Sequence, residues 1–225
     1  MVMMKMKNNT TFLPTPTPRP TFSDNFDTPY VMSDGQTSPN GKWKCVYNGY
    51  GKTESINGTF HMYPQTVTSP SNTSACYAAS IQVFKNFILD IDIRTNKQLR
   101  QGSPPNNWEV ACIFFRTSDA THSYDFLLKN QGWQFSKKDN YPTETHPEHE
   151  IFPAGGPIPS VKIGQWQHVN IKAVDFHFTV SVDGLTVMDM TDPDVHYPEK
   201  MAQGTIGMYC EDSDVSFDNI KVTAI

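Results

Sequence analysis

The sequence predicts an all-β protein, a two-sheet antiparallel β-sandwich of jelly-roll type. Three observations carry that expectation. Short runs rich in β-branched and aromatic residues recur along the chain with polar turns between them. Several of these runs alternate strictly between apolar and polar residues, and no stretch has the periodicity of an amphipathic helix. Turns this frequent, between about a dozen short strands, point to two packed antiparallel sheets.

Taken in order, residues 1–21 read as a disordered N-terminal tail and Pro/Thr linker. Pro14-Thr15-Pro16-Thr17-Pro18-Arg19-Pro20 favours extended polyproline and opposes a packed core. The sandwich then spans residues 22–225 as one domain, a length that needs no second unit. Trp43 points inward from a strand in Gly41–Tyr47. Residues 48–74 are rich in turn formers and hold a short strand at Thr59–Met62. Strands follow at Ala75–Ser80 and Phe87–Arg94; in the latter, Leu89, Ile91 and Ile93 alternate with Asp90, Asp92 and Arg94, a half-buried pattern.

The stretch Trp108–Asp139 forms a meander of three strands, Glu109–Arg116, Tyr124–Lys129 and Trp133–Lys137. It carries many large polar groups for a core element, so one face packs while the other presents chemistry. A proline-rich loop spans residues 140–160. The run Phe176–Val182, turning at Asp183-Gly184 into Leu185–Met190, reads as a hairpin. Gly204–Cys210 and Val215–Val222 close the chain.

Composition bounds the function. The hydrophobic fraction is 37%, and 14 Phe, 9 Tyr and 4 Trp supply the bulk for a core. A net charge of −5 without a basic block gives no reason to expect nucleic acid, and no apolar run approaches a membrane span. Cys45, Cys76, Cys112 and Cys210 lie too far apart for a zinc motif. Two disulfides are open to them in an exported protein; the alternative is buried free thiols. Glycosylation triplets begin at Asn8, Asn9, Asn57 and Asn72 and favour an extracellular or cell-surface location, although the first residues lack an apolar leader.

The ordered segments SDNFD, GKW, FKNFILDIDIR, WEVACIFFRTSDATHSYDFLLKNQGWQFSKKD, GQWQHVNIKAVDFHFTVSVDG and GTIGMYCEDSDVSFDNIKV resemble concanavalin A-like lectin/glucanase domains. Within that superfamily the chain is most similar to laminin-G-like and keto-disaccharide-hydrolase-like β-sandwich modules, over residues 22–225. The chain is expected to act as a monomer on a polysaccharide or oligosaccharide. The resemblance implies a carbohydrate-binding module, with polysaccharide lyases and glycoside hydrolases on the same fold. It also implies a structural calcium ion (Ca2+) where the first and last strands meet, at Asp27 and Asp218, with Asp24 or Asp34 as a further oxygen ligand.

Sugars are held by aromatic faces and by groups that bond hydroxyls. Arg100, Trp108, Arg116, Lys129, Trp133 and Lys137 are the candidate substrate-binding residues; the cations Arg116, Lys129 and Lys137 would suit an acidic glycan. Core packing of the tryptophans and an ion pair between Arg116 and Glu109 or Asp119 are the structural alternatives. For catalysis, Glu109 and Glu211 are a candidate carboxylate pair. If the meander's second strand begins early enough to include His122, then His122 and Tyr124 project to one face, as a lyase would need; a turn-exposed His122 is the alternative. His146-Pro147-Glu148-His149-Glu150 has metal-ligand composition without the helical spacing, and reads as a solvated loop. The readings in competition are a polysaccharide-binding domain, a lyase or hydrolase, and an adhesive module that binds protein.

Overall fold

The computed structural model describes residues 21–139 and 150–225. Among these the chain forms β1 (Thr21–Asp24), β2 (Tyr30–Met32), β3 (Trp43–Tyr47), β4 (Lys52–Ile56), β5 (Thr59–Tyr63), β6 (Ala75–Ser80), β7 (Phe87–Gln98) and β8 (Ala111–Asp119). It continues with β9 (His122–Lys129), β10 (Gly132–Asp139), β11 (Glu150–Gly156), β12 (Gln167–Val174), β13 (His177–Val182) and β14 (Leu185–Thr191). A single turn of helix, α1 (Pro198–Met201), precedes β15 (Thr205–Glu211) and β16 (Ser213–Ala224).

The strands make two sheets. One has nine strands in the order β14-β13-β12-β7-β16-β5-β4-β2, with β1 added beside the C-terminal half of β16. The other has seven, β11-β10-β9-β8-β15-β6-β3. All strand pairs are antiparallel. This is the expected sandwich.

The alternation read in Phe87–Arg94 runs the length of β7, whose Phe87, Leu89, Ile91 and Ile93 are buried. They face the inward residues of the seven-stranded sheet, among them Ile113, Phe115, Tyr124, Phe126 and Phe135. Between the sheets, Phe178 sits 4.6 Å from Tyr124 and 5.3 Å from Phe135, centroid to centroid. Aromatic contacts of this kind add roughly 0.5–1.5 kcal/mol each beyond area burial.

The hairpin at Asp183-Gly184 turns with φ of 49° and 81°. Both residues are left-handed, which matches the strand twist and explains the Asp-Gly pair. Asn57-Gly58 does the same between β4 and β5, at 53° and 71°. Sequence patterning passed over β1, β2, β4 and β11. Three of these are very short or set among turn formers, and β11 lies in the segment expected to be a loop.

The meander departs from expectation at one point. β8 does not stop at Arg116 but bulges there: Arg116 has φ of 50°, and the register with β9 shifts between Phe115 and Asp119. A bulge bends the strand and re-aims the side chain. Gly204 lies against it so closely that a Cβ would stand 2.3 Å from the Arg116 carbonyl carbon and 2.5 Å from the Thr117 nitrogen. All four cysteines are buried free thiols, so the structure takes the second of the two alternatives. The proline/threonine tail, the first two glycosylation triplets and the His146–His149 stretch lie outside the described residues.

Gly204→Ala should therefore destabilise the domain by about 1–3 kcal/mol, the range for overpacked sites. Urea denaturation measures it as a lower midpoint at unchanged slope.

Candidate functional site

The outer face of the seven-stranded sheet is built by residues of one parity. β6 contributes Tyr77, β15 Tyr209 and Glu211, β8 Cys112 and Phe114, β9 Asp125 and Leu127, and β10 Gln134 and Lys138. Their chain neighbours Cys76, Cys210, Ile113, Phe126 and Phe135 point into the core. Four rings pack side by side on this face. Phe114 and Tyr209 are 5.1 Å apart, Tyr77 and Phe114 5.7 Å, Tyr47 and Tyr77 5.9 Å, and Tyr77 and Tyr209 6.2 Å. Gly207 makes room for them, since a Cβ there would lie 2.5 Å from the Tyr77 ring.

Two adjoining pockets open over this cluster and share Phe114, Lys138 and Tyr209. The larger, about 510 Å³, runs over Tyr47 and Tyr77 to Asp119 and Ser123. The smaller, about 260 Å³, reaches Trp108, Asp125, Gln134 and Glu211. Trp108 is 51% exposed at its rim. Tyr209 donates its hydroxyl proton to Glu211 Oε1 at 2.5 Å. Aromatic faces beside carboxylate, amide and ammonium groups are what a polyhydroxylated ring needs, stacking surface below and hydrogen-bond partners around the edge.

The family follows from the whole chain. The sequence pattern of the 3-keto-alpha-glucoside-1,2-lyase-like domain matches residues 29–223. The chain belongs to this family. Solved structures share the concanavalin A-like sandwich of this 3-keto-glucoside-lyase-like domain at low identity. The carbohydrate binding module CBM66 from Bacillus subtilis has a TM-score of 0.55 at 17% identity, covering 85% of this chain and 99% of that one. β-Agarase B from Zobellia galactanivorans has a TM-score of 0.61 at 10% identity, over 90% and 91%. The alginate lyase Aly36B, solved with an alginate trisaccharide, has 0.57 at 13%, over 92% and 99%. No curated protein matches the chain.

On this family's sheet the sequence-predicted residues divide between the two faces. Trp108, Glu211 and Lys129 are outside; Lys129 donates to Gln134 Oε1 at 3.1 Å. The others sit elsewhere. Arg116 is fully buried, and its guanidinium donates to the backbone carbonyls of Lys85 and Asp175 and to Asn86. It pairs with neither Glu109 nor Asp119, and desolvation pulls its pKa down to about 10. Lys137 is buried on the core side of β10, held by both oxygens of Asp192 at 2.9 and 3.0 Å and by the Asp194 carbonyl. Trp133 packs in the core at 6.1 Å from Phe126.

Arg100 and Glu109 form an ion pair at 2.5 Å, both nearly or wholly buried, with Asp212 as the second partner of the guanidinium. Arg100 also donates to the carbonyls of Ser69, Pro70 and Asn72, so it ties that loop to the sheet. Glu109 is thereby committed to Arg100 and Asn106 and does not line either pocket with Glu211. His122 and Tyr124 do share a face, but it is the inner one. The Tyr124 hydroxyl donates to Asp192 at 2.8 Å, and His122 Nδ1 lies 2.7 Å from Asp119. Tyr47, Tyr77, Phe114, Tyr209 and Gln134 were not singled out by the sequence, whereas Asp125 and Lys138 belong to the meander's load of large polar groups. Parity relative to Ile113 and Met208 marks Phe114 and Tyr209, but Tyr47 shares the parity of Trp43 and Cys45 and reaches this face only past the register shift between Cys45 and Tyr47.

Beside β1 of the nine-stranded sheet, Asp27 accepts from Asn25 at 2.6 Å, and Asp24 accepts from Phe26 N, Asn40 and Trp43 Nε1. Asp34 accepts from the amide of Asn48 instead. Burial raises the Asp218 carboxyl, and the charges of Asp92, Asp27 and Asp24 raise it further. Among the described residues no group of three or more His, Cys, Asp or Glu side chains is placed to hold a metal ion. No helix there is long and apolar enough to cross a membrane.

Burial raises the pKa of Tyr47, Tyr77 and Tyr209, and for Tyr209 the carboxylate of Glu211 adds to the effect. All three phenols therefore stay protonated beyond the ordinary tyrosine range. A spectrophotometric titration should find these hydroxyls unionised at pH 10, where a free tyrosine is about half ionised; their ionisation at or below that pH would contradict the packing described.

Proposed function

We propose that the domain binds a saccharide on the outer face of its seven-stranded sheet, over Tyr47, Tyr77, Phe114 and Tyr209. The aromatic cluster carries this reading, because it places ring faces beside Glu211, Asp125, Gln134 and Lys138 in one open depression. The sandwich relatives that include a carbohydrate binding module support it. The setting proposed is extracellular, acting as a monomer on a polysaccharide.

Tyr209→Ala should weaken binding of a responsive polysaccharide by about 1–3 kcal/mol, the range for losing an aromatic stacking partner. Affinity electrophoresis across a polysaccharide panel measures it. Arg116 and Lys137 are interior, so their loss should show as lower stability. Binding that survives Tyr209→Ala and Phe114→Ala unchanged would sink the proposal.

A second reading comes from the family itself. A 1,2-elimination on a 3-keto-glucoside needs a base for the C2 proton, which the adjacent ketone acidifies. Glu211 is the carboxylate of this face nearest a polar partner, at 2.5 Å from the Tyr209 hydroxyl. The raised phenol makes Tyr209 a donor to developing oxyanion charge and argues against tyrosinate as the base. Incubation with a methyl 3-keto-α-glucoside should then release methanol with wild type and not with Glu211→Gln; release that Glu211→Gln leaves intact removes this carboxylate from the chemistry.

Calcium at Asp27 and Asp218 belongs to the same proposal, with the raised Asp218 carboxyl as its support and backbone carbonyls needed to complete the shell. A carboxyl raised in the folded state disfavours folding once ionised, and that penalty is relieved as pH falls through the folded pKa. In chelator, Asp218→Asn should melt above wild type at pH 7 and lose that advantage in acid. Added calcium should reverse the order; an unchanged order in calcium would remove the ion from the account.

A further inference from the structure

A second depression, about 370 Å³, opens on the outer face of the nine-stranded sheet, across the sandwich from the aromatic cluster. It is lined by Thr59 and His61 of β5, Ser216 of β16, Arg94 and Asn96 of β7, and Trp166 just before β12. Ser216 stands directly across from Arg94 in the ladder. Alternation along β7, which sends Ile91 and Ile93 inward, sends Arg94 and Asn96 out.

Arg94 is the unusual member. Its guanidinium lies over Trp166, with Cζ 4.5 Å from the ring centroid. Its Nε is buried and has no hydrogen-bond acceptor among the described residues. Every carboxylate nearby is engaged by something else. Asp214 accepts from Asn96 at 2.7 Å and lies 2.8 Å from His61 Nε2; Glu54 is 3.4 Å from His61 Nδ1 and 3.8 Å from Lys52. Asp92 is held by His168 at 2.7 Å and by Asn219 at 2.8 Å. The hydrogen bond from Asp214 raises the His61 pKa, so that imidazole leans towards its cation and offsets the acids around it. Arg94 is left as a fork-shaped cation with donors to spare, held flat by an indole that is itself 38% exposed.

We propose that this depression is a second saccharide site, specific for a carboxylate-bearing sugar. Arg94 takes the carboxylate through paired N–H donors, the free part of the Trp166 ring meets the pyranose, and Asn96 and Thr59 meet hydroxyls. A neutral sugar leaves the guanidinium unsatisfied and is discriminated against for that reason. The site is independent of the aromatic cluster on the other sheet and stands or falls without it.

Titration of the full chain with trigalacturonate, read on the Trp166 indole and Asn96 side-chain NMR signals, tests it. Saturable shifts are expected at both, with cellotriose giving none. Arg94→Gln should weaken the trigalacturonate response at least about ten-fold, as loss of a charged hydrogen bond does. Arg94→Lys should weaken it less, because charge survives without the fork. Tyr209→Ala should leave it unchanged. Amide spectra that superimpose on wild type show that the variants are folded. Equal responses to cellotriose and trigalacturonate, shifts confined to the other sheet, or a response that Arg94→Gln and Arg94→Lys both leave intact would each overturn the proposal.

Discussion

Packing of the two sheets through Phe115, Tyr124, Phe135 and Phe178 is the constraint on which the rest depends. Side chains alternate across a strand, so fixing one inward residue fixes the face of every other on that strand. Once Tyr124 and Phe126 are inside, Asp125 and Leu127 are outside. Once Phe135 is inside, so are Trp133 and Lys137, whatever their chemistry. The aromatic depression is the complement of the core, made of what the core's parity leaves over.

Burial then decides which polar residues act structurally. Arg116, Lys137, Arg100 and Glu109 are all interior, and each has found partners there: backbone carbonyls for Arg116, Asp192 for Lys137, and each other, with Asp212, for Arg100 and Glu109. Removing one member would leave an uncompensated buried group, which destabilises far more than the pair stabilises. They lock the bulge of β8, the 192–194 turn and the 69–72 loop to the sandwich. The proposed saccharide site is made of the residues left outside.

The sandwich was legible because β7 and the β13–β14 hairpin state their period and their turn plainly. The outer face was not. In β9, HSYDFLLK, residues of both parities are buried, so alternation cannot tell Tyr124 from Asp125. Large polar groups in the meander drew attention to Arg116, Lys137 and His122, which a buried network absorbs. Tyr77 and Tyr209 sit in short apolar strand runs, and only their pairing with Tyr47 and Phe114 across three ladders makes them a surface. β4 and β11 were hidden for a different reason: tertiary pairing, with β2 and β5 for β4 and with β10 for β11, makes strands of segments with weak propensity of their own.

Parity in the seven-stranded sheet sends one set of aromatics to the outer face, where the saccharide site is proposed, and the other to the core. Ring-selective 13C NMR of the tyrosines during titration with a bound oligosaccharide tests it most directly. Shifts are expected at Tyr77 and Tyr209 while Tyr124 stays still. Movement of Tyr124 with Tyr77 and Tyr209 silent would contradict it.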